Sequence, residues 1–198
     1  MKSREGTVVD ADDLMEEMYH TAKSISEELG KLEGYSKEEK DNLYKTIGMG
    51  ALKYFMLKVD PKKRMLFNPE ESIDFNGNTG PFIQYTHARI QSLERKGAEF
   101  LTIDTLGYIY SEAEGALIVT LSKFPEIIQQ AAQQYSPAVV ASYTYDLVKD
   151  YNGFYQNHSI LNADSEIQIA ARLKLSVAVR RTIKTGMSLL GIDSPERM

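Results

Sequence analysis

The stretch Ala171-Arg-Leu-Lys-Leu-Ser-Val-Ala-Val-Arg-Arg-Thr-Ile-Lys-Thr-Gly-Met-Ser-Leu-Leu-Gly-Ile-Asp-Ser-Pro-Glu-Arg-Met198 decides how this chain is read. It describes the body of a long helix that opens at Asp164 or Ser165. The helix carries a basic band and stops at Gly191, in the left-handed position that glycine favours after a helix. No acid falls between Glu166 and Asp193, whereas Arg172, Lys174, Arg180, Arg181 and Lys184 all do. Gly186 inside a helix costs about 1 kcal/mol relative to alanine, which points to close approach by another helix. Arg172 and Arg180 lie about 80° apart around the helix by its 3.6-residue repeat. One of the two is expected to be structural and the other to meet phosphate.

Working back from this helix, further segments repeat apolar residues at spacings of three and four. Leu14, Met18, Ala22, Ile25 and Leu29 predict a helix over 12–33. Leu43, Ile47, Ala51, Tyr54 and Phe55 predict another over 36–58, opened by a Ser36–Glu39 capping box and ended at Asp60-Pro61. Residues 61–80 read as irregular, with a short extended piece at Arg64–Phe67 and a dense turn at Asn76–Gly80. Pro81 then suits the first turn of a third helix, to residue 97. Ser111–Glu114 is a second capping box, opening a helix to about Lys123. Pro125 starts the next helix, through Gln134. Ser136-Pro137 opens a longer one to Tyr155, whose inner face carries Val140, Tyr143, Leu147, Tyr151 and Phe154. No strand pattern of weight and no internal repeat occur, so the expected fold class is all-α, a helical bundle.

The 198 residues suffice for one good core, or for one domain plus a segment of another. An apolar fraction of 42% and a charged fraction of 26% are ordinary for a soluble protein. No apolar run is long enough to span a bilayer, and the Lys-Ser-Arg-Glu start is unlike a signal peptide, so a cytoplasmic location is expected. The chain has no cysteine, which excludes disulfides and thiolate chemistry. A net charge of −5, taken alone, argues against a nucleic-acid partner. Attraction of phosphate depends on local field, however, and a basic patch can act on an otherwise acidic surface.

Three segments carry chemical meaning. In Gly77-Asn-Thr-Gly-Pro-Phe-Ile-Gln-Tyr-Thr-His-Ala-Arg89, the residues Phe82, Tyr85 and Arg89 fall at i, i+3 and i+7 and share one helix face. Two rings and a guanidinium there suit unstacked bases and a nearby phosphate, each stacked base contributing about 1–3 kcal/mol. Ile83, Ile90 and Leu93 point elsewhere, as core candidates. His87 fits either of two roles, orienting the turn or sitting satisfied in the interior. The other two segments are Lys2-Ser-Arg-Glu-Gly-Thr-Val-Val9 and the C-terminal region. The latter includes Tyr143-x-Tyr-x-Leu147 and Phe154-Tyr155 as well as the opening stretch.

In the same order, all three resemble the arginyl-tRNA synthetases, which are class I aminoacyl-tRNA synthetases. The middle segment matches their Gly-x-Thr-Gly-Pro-Tyr-x-Gln-Tyr-x-His-x-Arg signature, with Phe82 where tyrosine is frequent. The resemblance implies a C-terminal fragment of such an enzyme, about the last third, with the mobile ATP loop cut at Met1. Residues 1–76 would be the tail of the catalytic region, with connecting helices. Residues 77–198 would be the α-helical anticodon-binding domain. Lys2, Ser3 and Arg4 would be the remnant of the loop whose cations and hydroxyls steady the ATP phosphates, where charge builds on the leaving pyrophosphate.

The implied tRNA-binding residues are Asn78 in the glycine-rich turn, Phe82, Tyr85, Arg89, Tyr155, Arg172, Arg180 and the terminal Met198. The implied partners are the anticodon stem–loop of arginine tRNA and a catalytic domain of the same chain, with no membrane and no DNA. ATP and Mg²⁺ would serve the whole enzyme, and none is expected on this fragment, which should not activate arginine alone. The family's His-x-Gly-His motif is absent, since the histidines are His20, His87 and His158. No Ser/His/Asp grouping or metal cluster appears, and His20 near Glu16 and Glu17 reads as an exposed helix pair. Two rival readings are a non-catalytic helical protein–protein interaction domain and the equivalent domain of another class I synthetase.

Overall fold

The computed structural model describes residues 10–28, 32 and 34–198. Its helices are α1 (Ala11–Glu28), α2 (Lys37–Leu57), α3 (Pro69–Ser72), α4 (Gly80–Lys96), α5 (Glu112–Ser122), α6 (Phe124–Gln134), α7 (Pro137–Asn157) and α8 (Glu166–Leu189). A short 3₁₀ helix, Ala98–Thr102, follows α4. No strand occurs among the described residues. The all-α expectation holds.

Both predicted capping boxes form. The Ser36 and Ser111 hydroxyls accept from the backbone N–H of Glu39 and Glu114, whose carboxylates accept in return from the two serine N–H groups. Each box satisfies two donors that a helix start leaves unpaired. Thr79 caps α4 through the Phe82 N–H, with Pro81 in the first turn. Beyond α8, Gly191 adopts φ +67°, the predicted left-handed stop. Helix α1 is described over Ala11–Glu28 and Leu32 is outside it, short of the expected residue 33, while Leu29 lies outside the described residues. The irregular 61–80 segment contains α3, held by the Asn68 side chain accepting from Glu70 and Glu71 N–H. That helix is a single turn, too short for periodicity to reveal.

The apolar residues form two clusters. One joins α4, α5, α7 and α8 around Ile83, Ile90, Leu147, Tyr151, Leu173 and Ile183, and takes in Tyr54 from α2. All five predicted inner-face residues of α7 belong to it. The other joins α1 and α2 around Met18, Ala22, Ile47 and Ala51, and the terminal Met198 packs against it. The Tyr54 hydroxyl ties α2 to the turn before α4 and to α7, lying 2.7 Å from Asn78 Oδ1, its nearer acceptor, and 3.2 Å from the Ala141 carbonyl. Gly186 sits where α8 meets α7: a Cβ there would lie 2.6 Å from Thr144 Oγ1, so the close approach expected of it is present.

Candidate nucleic-acid interface

Helix α4 presents two different faces. Ile83, Gln84, His87 and Ile90 are wholly buried, while Phe82, Tyr85 and Arg89 are only half-buried and look into open space. That space is a cleft of about 530 Å³ between α4 and the α1–α2 pair, lined by Phe75, Phe82, Tyr85, Arg89, Asn152 and Met198 among others. An adjoining hollow of about 430 Å³ shares Tyr85, Arg89 and Met198, and adds Tyr35, Tyr155 and further cations. Four of the predicted residues, Tyr85, Arg89, Tyr155 and Met198, therefore meet around one opening, and Phe82 lines its inner part.

Arg89 is the centre of this arrangement. Its guanidinium carbon lies 4.8 Å from the Tyr85 ring centroid and 5.2 Å from that of Tyr155. Its Nη1 donates to Asn152 Oδ1 at 3.1 Å, and Asn152 is itself bonded to Thr86 Oγ1. Tyr155 stacks on the core residue Tyr151 at 6.3 Å, and Tyr85 meets Phe75 edge-on at 6.4 Å. A guanidinium held between two rings and one amide has little freedom left, so it offers its remaining N–H groups in a fixed direction. Phe82 is more deeply engaged: its ring lies 5.9 Å from Tyr145 and packs against the larger core. Its share in any stacking is correspondingly smaller.

The hollow has a marked charge. Arg89, Arg95, Lys96 and Arg197 line it, together with three tyrosines, and no carboxylate side chain does. Local positive charge thus coexists with the net charge of −5. Tyr35, Arg95, Lys96 and Arg197 were not singled out from the sequence. Lys96 follows Arg89 by seven residues, a spacing that would have found it. Tyr35 and Arg197 meet only through the fold, with the guanidinium 4.5 Å from the ring centroid.

The remaining candidates fall elsewhere. Asn78 does not line the cleft. Its Oδ1 accepts from Tyr54 and its carbonyl from Lys58 Nζ at 2.7 Å, so it braces the turn, while its neighbour Asn76 faces the opening. Arg172 Nε meets Glu114 Oε1 at 2.7 Å, with side chains 11% and 0% exposed, and Nη1 donates to the Ser159 carbonyl. Arg180 Nε lies 2.9 Å from Glu94 Oε2. Arg172 and Arg180 are thus both engaged by carboxylates, in place of the expected split between one structural and one phosphate-facing residue, while Arg181 and Lys184 of the same band are exposed. Lys174 donates to the Ile103 carbonyl. His87 takes the interior role: it is fully buried, with Nδ1 2.9 Å from the Pro195 carbonyl. His20 pairs with Glu16 at 3.6 Å on an exposed face, as expected. Lys2, Ser3 and Arg4 lie outside the described residues. Among those described, no group of three or more His, Asp or Glu side chains could hold a metal ion, and no helix is long and apolar enough to cross a membrane.

Comparison with known proteins places this geometry. Residues 83–198 match the DALR anticodon binding domain. The whole chain is 62% identical to an arginine–tRNA ligase of Flavobacterium psychrophilum and 56% identical to one of Bacteroides thetaiotaomicron, covering 33% and 34% of those proteins. It therefore spans about a third of the length of these curated relatives. Among solved structures it is similar to the Thermus thermophilus arginyl-tRNA synthetase, with a TM-score of 0.84 at 32% identity over 96% of this chain and 32% of that one. The arginyl-tRNA synthetase of Plasmodium falciparum gives 0.80 at 27% identity, over 96% of this chain and 34% of that one.

Proposed function

The chain belongs to the DALR anticodon-binding domain family, and from that premise we propose that it is the tRNA-gripping part of an arginine–tRNA ligase. In this reading the opening around Arg89 receives the anticodon stem–loop of arginine tRNA. Tyr85 and Tyr155 stack on unpaired bases, Met198 closes one side, and Arg89 meets a phosphate or base edge. The observation that carries it is the placement of the Arg89 guanidinium between two half-buried tyrosines, at a cleft and hollow with no carboxylate side chain in their lining. Arg95, Lys96 and Arg197 extend the same charge along the RNA backbone.

The boundary between a connecting region and the binding domain is drawn at residues 76 and 77, in the turn that Asn78 braces. A catalytic domain of the same longer protein would supply ATP, Mg²⁺ and arginine chemistry, joining arginine to its tRNA in the cytoplasm. The protein–protein reading fits less well, because an apolar partner would cover four cations at a hollow that no carboxylate side chain lines.

The reading is tested by methyl NMR of ¹³C-labelled methionine in this chain, titrated with a synthetic arginine anticodon hairpin. The Met198 resonance should shift early and saturate, while Met18, buried between α1 and α2, stays near its place. Equal shifts of all methionines, or none at Met198, would contradict it.

A further inference from the structure

Residues 192–198 form no hydrogen-bonded helix or strand, yet Met198 occupies a defined place against the α1–α2 core. A chain end without regular structure normally frays. Here side chains of the neighbouring helices hold it by its backbone carbonyls, in sequence. Lys53 of α2 donates to Gly191 O at 2.6 Å, Gln84 to Asp193 O at 2.8 Å, and Arg95 to Glu196 O at 3.3 Å. His87 Nδ1 lies 2.9 Å from Pro195 O, so that nitrogen carries the proton and donates. Gln84, His87 and Arg95 run along one stripe of α4, and the tail follows the helix in the same direction.

The Gln84 grip is built rather than incidental. Its Nε2 also donates to Thr46 O in α2 at 3.1 Å, so one amide bridges α2, α4 and the tail. Space for it exists because residue 50 is glycine: a Cβ there would lie 2.4 Å from that nitrogen. Neither Gln84 nor His87 lines the cleft, and both are fully buried.

We infer that Gln84 and His87 are positioning residues: by gripping the Asp193 and Pro195 carbonyls they fix Met198 beside Arg89 in the binding opening. Their effect on RNA rests on the reading proposed above, but their effect on the tail does not. Two arms separate these.

In the first arm, carboxypeptidase release of Met198 is timed in the full chain and in Gln84→Met, His87→Phe and His87→Asn. Asparagine keeps an N–H near the Nδ1 position. Loss of one buried hydrogen bond is worth up to about tenfold in the population of the released tail, so Gln84→Met and His87→Phe should release about tenfold faster. His87→Asn should stay near the parent rate. Parent-like release in both Gln84→Met and His87→Phe would overturn the inference. Should His87→Phe fail to fold, Gln84→Met alone decides it.

In the second arm, affinity for the arginine anticodon hairpin is measured for Gln84→Met with and without removal of Met198. The Gln84→Met loss should vanish once Met198 is gone, because both changes act through one contact. Additive losses would make Gln84 merely structural and overturn the inference. If the parent chain does not bind the hairpin at all, the tRNA reading falls, and the release arm still judges the grip.

Discussion

Arg172 Nε and Glu114 Oε1, 58 residues apart in sequence, stand 2.7 Å from each other where α8 crosses the start of α5. Glu114 is also the acid of the Ser111 capping box and accepts from the Tyr108 hydroxyl, so one carboxylate joins helix start, loop and α8. Removing Arg172 leaves that carboxylate buried without its counter-charge. Arg172→Ala should therefore lower stability by about 3–5 kcal/mol, read from urea or thermal unfolding. A loss under 1 kcal/mol would return Arg172 to the pool of surface cations.

The same carboxylate predicts an acid limit. Burial alone would push the Glu114 pKa up, but Arg172, the Ser111 N–H and the Tyr108 hydroxyl together hold it below the usual carboxylate range. A depressed acid contributes stability that is complete above the unfolded value of about 4.3 and is lost as pH falls below it, towards the folded value. Unfolding midpoints should drop as pH falls below about 4.3 in the parent and drop less in Glu114→Gln, which starts from lower stability. Parallel curves would contradict this.

Tyr85→Ala should weaken binding of the arginine anticodon hairpin by about 1–3 kcal/mol, the worth of one stacked base. Fluorescence anisotropy of a labelled hairpin measures it, with circular dichroism to verify the fold. Unchanged affinity would reassign Tyr85 to packing against Phe75.

His87 predicts a second pH dependence of stability. Burial first, and then Arg180 and Lys184 of α8, hold its pKa below the ordinary value, against the pull of the Pro195 carbonyl and Glu196. A protonated ring would add charge beside both cations. The sign is thus the same as for a depressed acid: the contribution is complete above about pH 6.5 and lost as pH falls through the lower folded value. Unfolding midpoints should fall as pH drops below about 6.5, and His87→Asn should flatten that fall. Parallel curves for the two proteins would refute it.

What could be read without coordinates followed from local periodicity. Tyr85 and Arg89 share a face because three- and seven-residue spacings do so in any helix, and Ser36–Glu39 and Ser111–Glu114 cap because their chemistry is short-range. Arg172 and Arg180 could not be assigned this way. Their partners Glu114 and Glu94 come from other helices, and spacing along α8 carries no record of tertiary pairing. The grip of α4 on the tail was equally hidden, since it uses backbone carbonyls, which every residue has. Arg197 joins the hollow only because that grip places it over Tyr35.

If rings and guanidinium groups at this opening hold an RNA hairpin, a titration of the chain with arginine anticodon hairpin and a non-cognate hairpin at two salt concentrations should reveal it. The arginine hairpin should bind more tightly at both. Affinity should fall with salt at a slope that Arg89→Leu reduces by about one phosphate contact. Equal, salt-insensitive binding of both hairpins would contradict it.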